Sequence, residues 1–194
     1  MKPIKTVHSK RRPIMRIALT GSHGVGKTTL GKALAGATKV RLMSEAPFLA
    51  YQTGLSLNEN TGVEAELWIA LKQLEQERTN RQFISDRCLI DTLAYTHLLY
   101  GEDKCLINIM HRLAQGIEER YDLVLYLPAG EFPIEDDGLR STKKKFQRDA
   151  DRYVRYILLH YNIPHVVITG NRKVRLQRAI RAYEEVKRRK ELIP

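Results

Sequence analysis

The sequence predicts a single α/β domain in which five short parallel strands alternate with helices. Three observations predict it. Strand-like runs recur at 14–20, 39–43, 82–85, 121–127 and 163–168, each too short for a buried helix. Between them, apolar residues recur at three- and four-residue spacing, and such alternation demands parallel neighbours joined by helical crossovers. The 194 residues fit one domain with a sizeable core.

The first run, Ile14 to Thr20, leads straight into Gly21-Ser22-His23-Gly24-Val25-Gly26-Lys27-Thr28. Beyond it, from Thr29, Leu30 and Leu34 share one helical face. The eight residues match G-x-x-x-x-G-K-[ST], and strand, glycine loop and helix follow in the order that loop's mechanism requires. Glycines let backbone N–H groups turn inward around a phosphate, and the new helix points its positive end at the same anion. Lys27 is expected to reach the β and γ phosphates, and the Thr28 hydroxyl to ligate Mg²⁺. Residues Gly21 to Thr29 thus predict an ATP site.

The second run, Lys39 to Met43, ends in Ser44-Glu45-Ala46-Pro47. A carboxylate just past a strand's C-terminal end lies at the edge where open parallel sheets bind ligands, so Glu45 is a candidate to take an acceptor's hydroxyl proton. Thr61 to Arg81 reads as a long helix with Val63, Leu67, Ala70, Leu71 and Leu74 inward and Trp68 half-buried beside them. The third run ends in Asp86-Arg87, where an acid can hold Mg²⁺ and an arginine can reach a phosphoryl oxygen. Asp86 also suits a helix start. Cys88 to Tyr100 is helical until Gly101. Asp91 either lines the acceptor cavity or serves the helix dipole.

Leu106, Ile109, Met110, Leu113 and Ile117 make a further apolar stripe ending near Arg120. After the fourth run, Glu131 to Ser141 lacks periodicity and holds Glu135-Asp136-Asp137-Gly138-Leu139-Arg140. This composition predicts a lid, spanning about 130–155, with Arg140 placed to stabilise the transferring phosphoryl group. The helix from Thr142 carries Phe146, Tyr153, Ile157 and Tyr161 inward. Its Arg148 and Arg152, one turn apart, form a second candidate phosphate clamp. Pro164 confines itself to the start of the last run. Thr169-Gly170-Asn171 then opens a final helix with Leu176, Ala179, Ile180 and Tyr183 inward and a basic outer face.

The charge is uneven: 33 Lys+Arg against 22 Asp+Glu, net +11, clustered at residues 1–13, at Lys143–Lys145 and along Arg172 to Lys190. Such clusters attract polyanions, nucleic acid above all, or simply form solvated faces. Residues 1–13 lack an apolar core and are read as a basic arm or a transit peptide rather than a secretory signal. No apolar run approaches a membrane span. Cys88 and Cys105 lie outside any C-x-x-C pair, which suits reduced thiols in a cytoplasmic setting.

Over Ile14 to Ala182 the chain resembles the kinase group of P-loop proteins. More narrowly it is similar to small ATP-binding kinases related to ribosylnicotinamide kinase, a group that carries AAA-type labels. The residues carrying the resemblance are Gly21 to Thr29, Ser44-Glu45, Lys72-Gln73-Leu74-Glu75, Ser85-Asp86-Arg87 with Asp91 to Tyr95, Tyr121-Asp122-Leu123, and Asp136 to Arg140. The resemblance implies strand order 2-3-1-4-5. It assigns Glu45 to the acceptor hydroxyl, Asp86 and Arg87 to the metal and phosphates, and Arg140 to the lid. A related bacteriophage group phosphorylates 5-hydroxymethyluridine within DNA. A strand offers one phosphate per nucleotide to basic clusters, so the charge favours that acceptor over a free nucleoside. A small-molecule nucleoside, ribosylnicotinamide or nucleotide kinase remains the alternative, as does a nucleotide-gated nucleic-acid-binding protein. A motor ATPase would need a larger module and a strand ending in Asp-Glu, and a GTPase an Asn-Lys-x-Asp reader; neither motif is present.

Overall fold

A computed structural model describes residues 13–134 and 141–192. The basic arm assigned to residues 1–13 therefore falls outside the described residues except for Pro13, as does the Glu135–Arg140 stretch. Five strands pair in parallel: β1 (Arg16–Thr20), β2 (Leu42–Met43), β3 (Phe83–Asp86), β4 (Leu123–Tyr126) and β5 (Val166–Val167). Their order across the sheet is β2-β3-β1-β4-β5, as the resemblance implies. The register sets Leu19 beside both Asp86 and Leu125.

Period two along the strands builds two cores. Ile17, Leu19, Ile84, Leu123 and Leu125 face α1 (Lys27–Thr38) and α8 (Arg172–Leu192). Ala18, Phe83, Val124 and Tyr126 face the opposite layer, with α3 (Val63–Thr79), α4 (Leu89–Tyr100), α5 (Lys104–Leu113), α6 (Ile117–Arg120) and α7 (Lys144–His160). α7 packs along α4.

Several elements differ from the sequence reading. Four strands are shorter than the sequence runs, mostly at their N-terminal ends, and β3 is shifted by one residue. A seven-residue helix, α2 (Ala46–Gln52), follows β2 unforeseen, with Pro47 in its first turn, where a missing N–H costs nothing. The single stripe from Leu106 to Ile117 is two helices, because Gly116 adopts a left-handed φ of 73°. On α3, Val63 and Leu71 are exposed. Ala70 is buried and Leu67 and Leu74 pack against the core as expected, but the rest of the buried face is Ala65, Glu66, Ile69, Gln73 and Glu77. That face is polar because it closes hydrogen bonds with α4 and β3. Similarly, α7 buries Gln147 and Asp151, and α8 buries Arg175. β5 is an edge strand with both valines exposed.

Candidate active site

The residues just past β1, β2 and β3 converge on two adjoining cavities. The larger, about 230 Å³, lies over the glycine loop, with Asp86, Arg87, Phe132, Ile134 and Arg172 on its walls. Its backbone form is obligatory. Gly21 has φ 142° and lies so near the Leu127 carbonyl that a Cβ would sit 2.3 Å from its oxygen. Gly24 and Gly26 are left-handed, as inward-turned N–H groups require.

Three helices fasten this loop. From α4, Asp91 Oδ1 accepts from Gly21 N at 3.0 Å, and Asp91 Oδ2 accepts from Cys88 N, capping the helix. Tyr95 Oη meets His23 N at 3.1 Å and His23 Nδ1 at 2.7 Å. From α7, Gln147 Nε2 donates to the His23 carbonyl at 2.8 Å. From α8, Arg175 Nη1 donates to the Val25 carbonyl at 2.6 Å, while Nη2 pairs with Glu131 and the guanidinium lies over Phe132.

Lys27 Nζ donates to the carbonyls of Gly21 and Ser22, both at 2.5 Å. Burial, helped by the Arg87 charge, pulls its pKa from 10.5 down to about 8. A bound polyphosphate would supply the opposite charge and raise the pKa again. Asp86 hydrogen-bonds Thr28, and burial together with Glu45 pushes its pKa up against the opposing Thr28, Lys27 and Arg87. Asp86 Oδ1 and Ser22 Oγ are buried without a hydrogen-bond partner. Hydroxyl and carboxylate oxygens here fit a hard cation such as Mg²⁺.

Arg87 joins the two cavities. Its φ of 74° is left-handed for a residue with a Cβ, a strain that tends to mark functional sites. The Leu19 carbonyl accepts from its N–H, and Ser85 Oγ donates to its carbonyl at 2.5 Å. Ser85 Oγ is itself held by Gln73 Nε2 at 2.8 Å, and Gln73 also donates to the buried Glu77. The side chain donates from Nε to Glu45 Oε1 at 2.5 Å and lies over the Tyr95 ring. Burial alone disfavours its charge, but Tyr95, Glu45 and Asp91 outweigh it and shift the pKa upward. The guanidinium is a fixed cation.

The smaller cavity, about 50 Å³, lies beyond Arg87 and is walled by α2, the turn at Asn58–Asn60, α3 and α4. Glu45, Phe48, Glu66, Asp91 and Tyr95 line it.

The structure thus brings together Gly24 to Thr29, Lys27, Thr28, Asp86, Arg87 and Glu45. Asp91 is a first-turn acid of α4 and also a wall of the smaller cavity, and it caps the helix through Cys88 N besides. Arg140 lies outside the described residues. Arg148 and Arg152 do not form a clamp: both are exposed on α7, outside the cavity linings, and Arg152 pairs with Asp149 at 3.6 Å. It is Gln147 that turns toward the loop. Sequence reasoning missed Glu66, Gln147 and Arg175. For Arg175 the signal was its spacing, four residues before the inward Ala179.

A glycine loop on the central strand of a 2-3-1-4-5 parallel sheet, with Asp-Arg ending the neighbouring strand, defines a P-loop nucleotide-binding domain. The chain belongs to the AAA domain family, whose model matches residues 16–175. None of the curated proteins matches it. Solved structures with the same fold include deoxyadenosine kinase from M. mycoides with the products dCMP and dCDP (TM-score 0.65, 16% identity, 88% of this chain and 100% of that one). NadR protein in complex with NR aligns with TM-score 0.76 and 19% identity over 92% of this chain, which spans only 53% of NadR. Thymidylate kinase from Candida albicans aligns with TM-score 0.59 and 17% identity, covering 92% of this chain and 93% of that one. The first and third of these structural neighbours are kinases by name. Among the described residues no helix is long and apolar enough to cross a membrane. Both cysteines are free, Cys88 buried and Cys105 exposed.

Proposed function

We propose that the protein transfers the γ-phosphoryl group of ATP to a hydroxyl of a small nucleoside-type acceptor. The observation that carries this reading is Arg87, a buried cation shared by the phosphate-loop cavity and a second cavity that holds a carboxylate, Glu45. A nucleotide switch needs only the first cavity. The triphosphate lies on Gly21 to Thr29 with Lys27 at the β/γ bridge, and Phe132, Ile134 and Arg172 border the base. Thr28 and Asp86 would hold Mg²⁺, which would neutralise phosphate charge there. Glu45 accepts the acceptor's hydroxyl proton as that oxygen bonds to the γ phosphorus and the bond to ADP breaks. Arg87, with Arg140 from the lid, carries charge on the transferred group.

The same hydroxyl on a modified base within DNA is a second reading. One observation favours it: Lys143 pairs with Glu59 at 3.2 Å, which sets the Lys143–Lys145 cluster beside the Asn58–Asn60 turn that borders the acceptor cavity. The other basic stretch is differently placed. α8 packs on α1 across the sheet, and its Arg175, Lys187, Arg189 and Lys190 are paired within the chain. Incubation with γ-labelled ATP and nucleosides, nucleoside monophosphates, ordinary DNA or DNA containing 5-hydroxymethyluridine decides between them. Salt-insensitive label in nucleosides is expected. Label confined to the modified DNA, weakening steeply with salt, would replace the first reading with the second. Slow hydrolysis with no labelled acceptor would refute both.

A further inference from the structure

The acceptor cavity holds an acid that phosphoryl transfer does not use. Glu66 lies in the first turns of α3, is 3% exposed, and lines the cavity with Ile69 and Leu57 as apolar neighbours. Its Oε2 accepts from Thr96 Oγ1 at 2.9 Å, a hydroxyl that also reaches the Thr92 carbonyl. Among the described residues Glu66 has no ion-pair partner, since Arg87 is engaged by Glu45. A lone buried carboxyl costs stability, and a leucine or glutamine would pack this helix face more cheaply. The helix dipole offers partial compensation, but it would serve equally on the exposed side, where Glu64 already stands. Among the described residues that line the cavity, Glu45, Glu66 and Asp91 outnumber Arg87. A phosphate-bearing acceptor is therefore repelled, whereas a neutral group with N–H donors is welcomed.

We propose that Glu66 selects the acceptor, its carboxyl receiving an amino or ring N–H from the base of an unphosphorylated nucleoside. This rests on the nucleoside-kinase reading above and names the chemistry that its acceptor must show. Burial raises the Glu66 pKa to about 7, with the Thr96 hydrogen bond and the Arg87 charge opposing. Acceptor recognition therefore strengthens as pH rises through neutrality and the carboxyl ionises.

The test uses 2′-deoxyadenosine, its N6,N6-dimethyl analogue and its 5′-monophosphate. Equilibrium binding and steady-state transfer are both followed from pH 5.5 to 8.5, with wild type, Glu66→Gln and Thr96→Val. Glu66→Gln is expected to raise the nucleoside KM at pH 8 by about 10- to 100-fold, the worth of a charged hydrogen bond, with kcat and the ATP KM nearly unchanged. It should also flatten the pH dependence of KM. Thr96→Val, which removes a bond favouring the ionised form, should move the KM inflection to higher pH. The dimethyl analogue and the monophosphate should bind wild type poorly. Transfer by wild type with equal nucleoside KM and pH profile in Glu66→Gln overturns the role of Glu66 but leaves the kinase reading intact. Glu66-dependent nucleoside binding without transfer overturns the kinase reading and keeps Glu66. No nucleoside binding to wild type removes the Glu66 proposal outright.

Discussion

The two cavities are made of different material. The phosphate loop is built from backbone: glycine amides in conformations that only glycine adopts freely, fixed by partners on α4, α7 and α8. The second cavity, the proposed acceptor site, is built from side chains contributed by α2, a short turn, α3 and α4. Backbone geometry tolerates one sequence and so leaves a motif. A side-chain cavity can be lined in many ways, so it leaves only scattered residues and can be retuned to new acceptors. Arg87 belongs to both, which is why its strained backbone is buttressed through Ser85, Gln73 and Glu77.

Removal of the charge at the backbone site should have the largest effect. Lys27→Ala is expected to cut transfer by ~10³-fold or more while the fold survives, since no other described residue supplies a cation at that position. Unfolding curves that match wild type, beside a rate near background, would verify it; near-normal turnover would break the donor assignment. Glu45→Gln comes next. It should lower kcat by about 100-fold, the usual worth of a general base, with ATP affinity retained. Unchanged kcat would remove Glu45 from the acceptor cavity's chemistry and leave it as the ion-pair partner of Arg87.

A milder perturbation tests the join between the cavities. Ser85→Ala removes the hydroxyl that holds the Arg87 carbonyl and leaves Gln73 one partner fewer. A fall in kcat of about 10-fold is expected, with both KM values little altered, as for a misplaced rather than absent group. If both KM values rise together instead, Ser85 supports the whole edge of β3 and not Arg87 in particular.

This contrast explains what the sequence revealed. Lys27, Thr28 and the glycines announce themselves, and Glu45, Asp86 and Arg87 are legible because strand ends in a parallel sheet mark the ligand edge. Glu66 and Glu77 are not, and Gln73 stands out only within the family resemblance. On α3 they occupy buried positions that helical periodicity reserves for apolar residues, and the exposed Val63 and Leu71 widen the apparent stripe away from them. Only tertiary hydrogen bonds to Thr96, Ser85 and Tyr121 make that polar face stable. Helix α2 was hidden by Pro47, which reads as a breaker unless it falls in the first turn.

The smallest expected effect lies away from both cavities and should leave their kinetics alone. His97 Nε2 faces His111 Nε2 at 3.0 Å, so one nitrogen donates and the other accepts. His111 Nδ1 meets Tyr161 Oη at 2.5 Å, and the rings of Tyr153, Tyr156 and His160 surround the pair. Burial, then repulsion from neighbouring histidines, lowers the pKa of both His97 and His111 below 6.5. The folded chain therefore holds fewer protons here than the unfolded chain does. Stability from this cluster is complete above pH 6.5, is lost as pH falls below it, and stops falling once the folded values are passed. Glu66, Glu77 and Asp86 work in the opposite sense, because burial raises their pKa and protonation favours the fold. Comparison with His111→Gln separates the two contributions. Between pH 7.5 and 5.5 the wild type should lose more thermal stability than the variant, by a few degrees in Tm, while kcat at pH 7.5 stays the same in both. Equal pH sensitivity would mean the histidine pair carries no linked proton, and a changed kcat would mean the α4–α5–α7 packing reaches the active site.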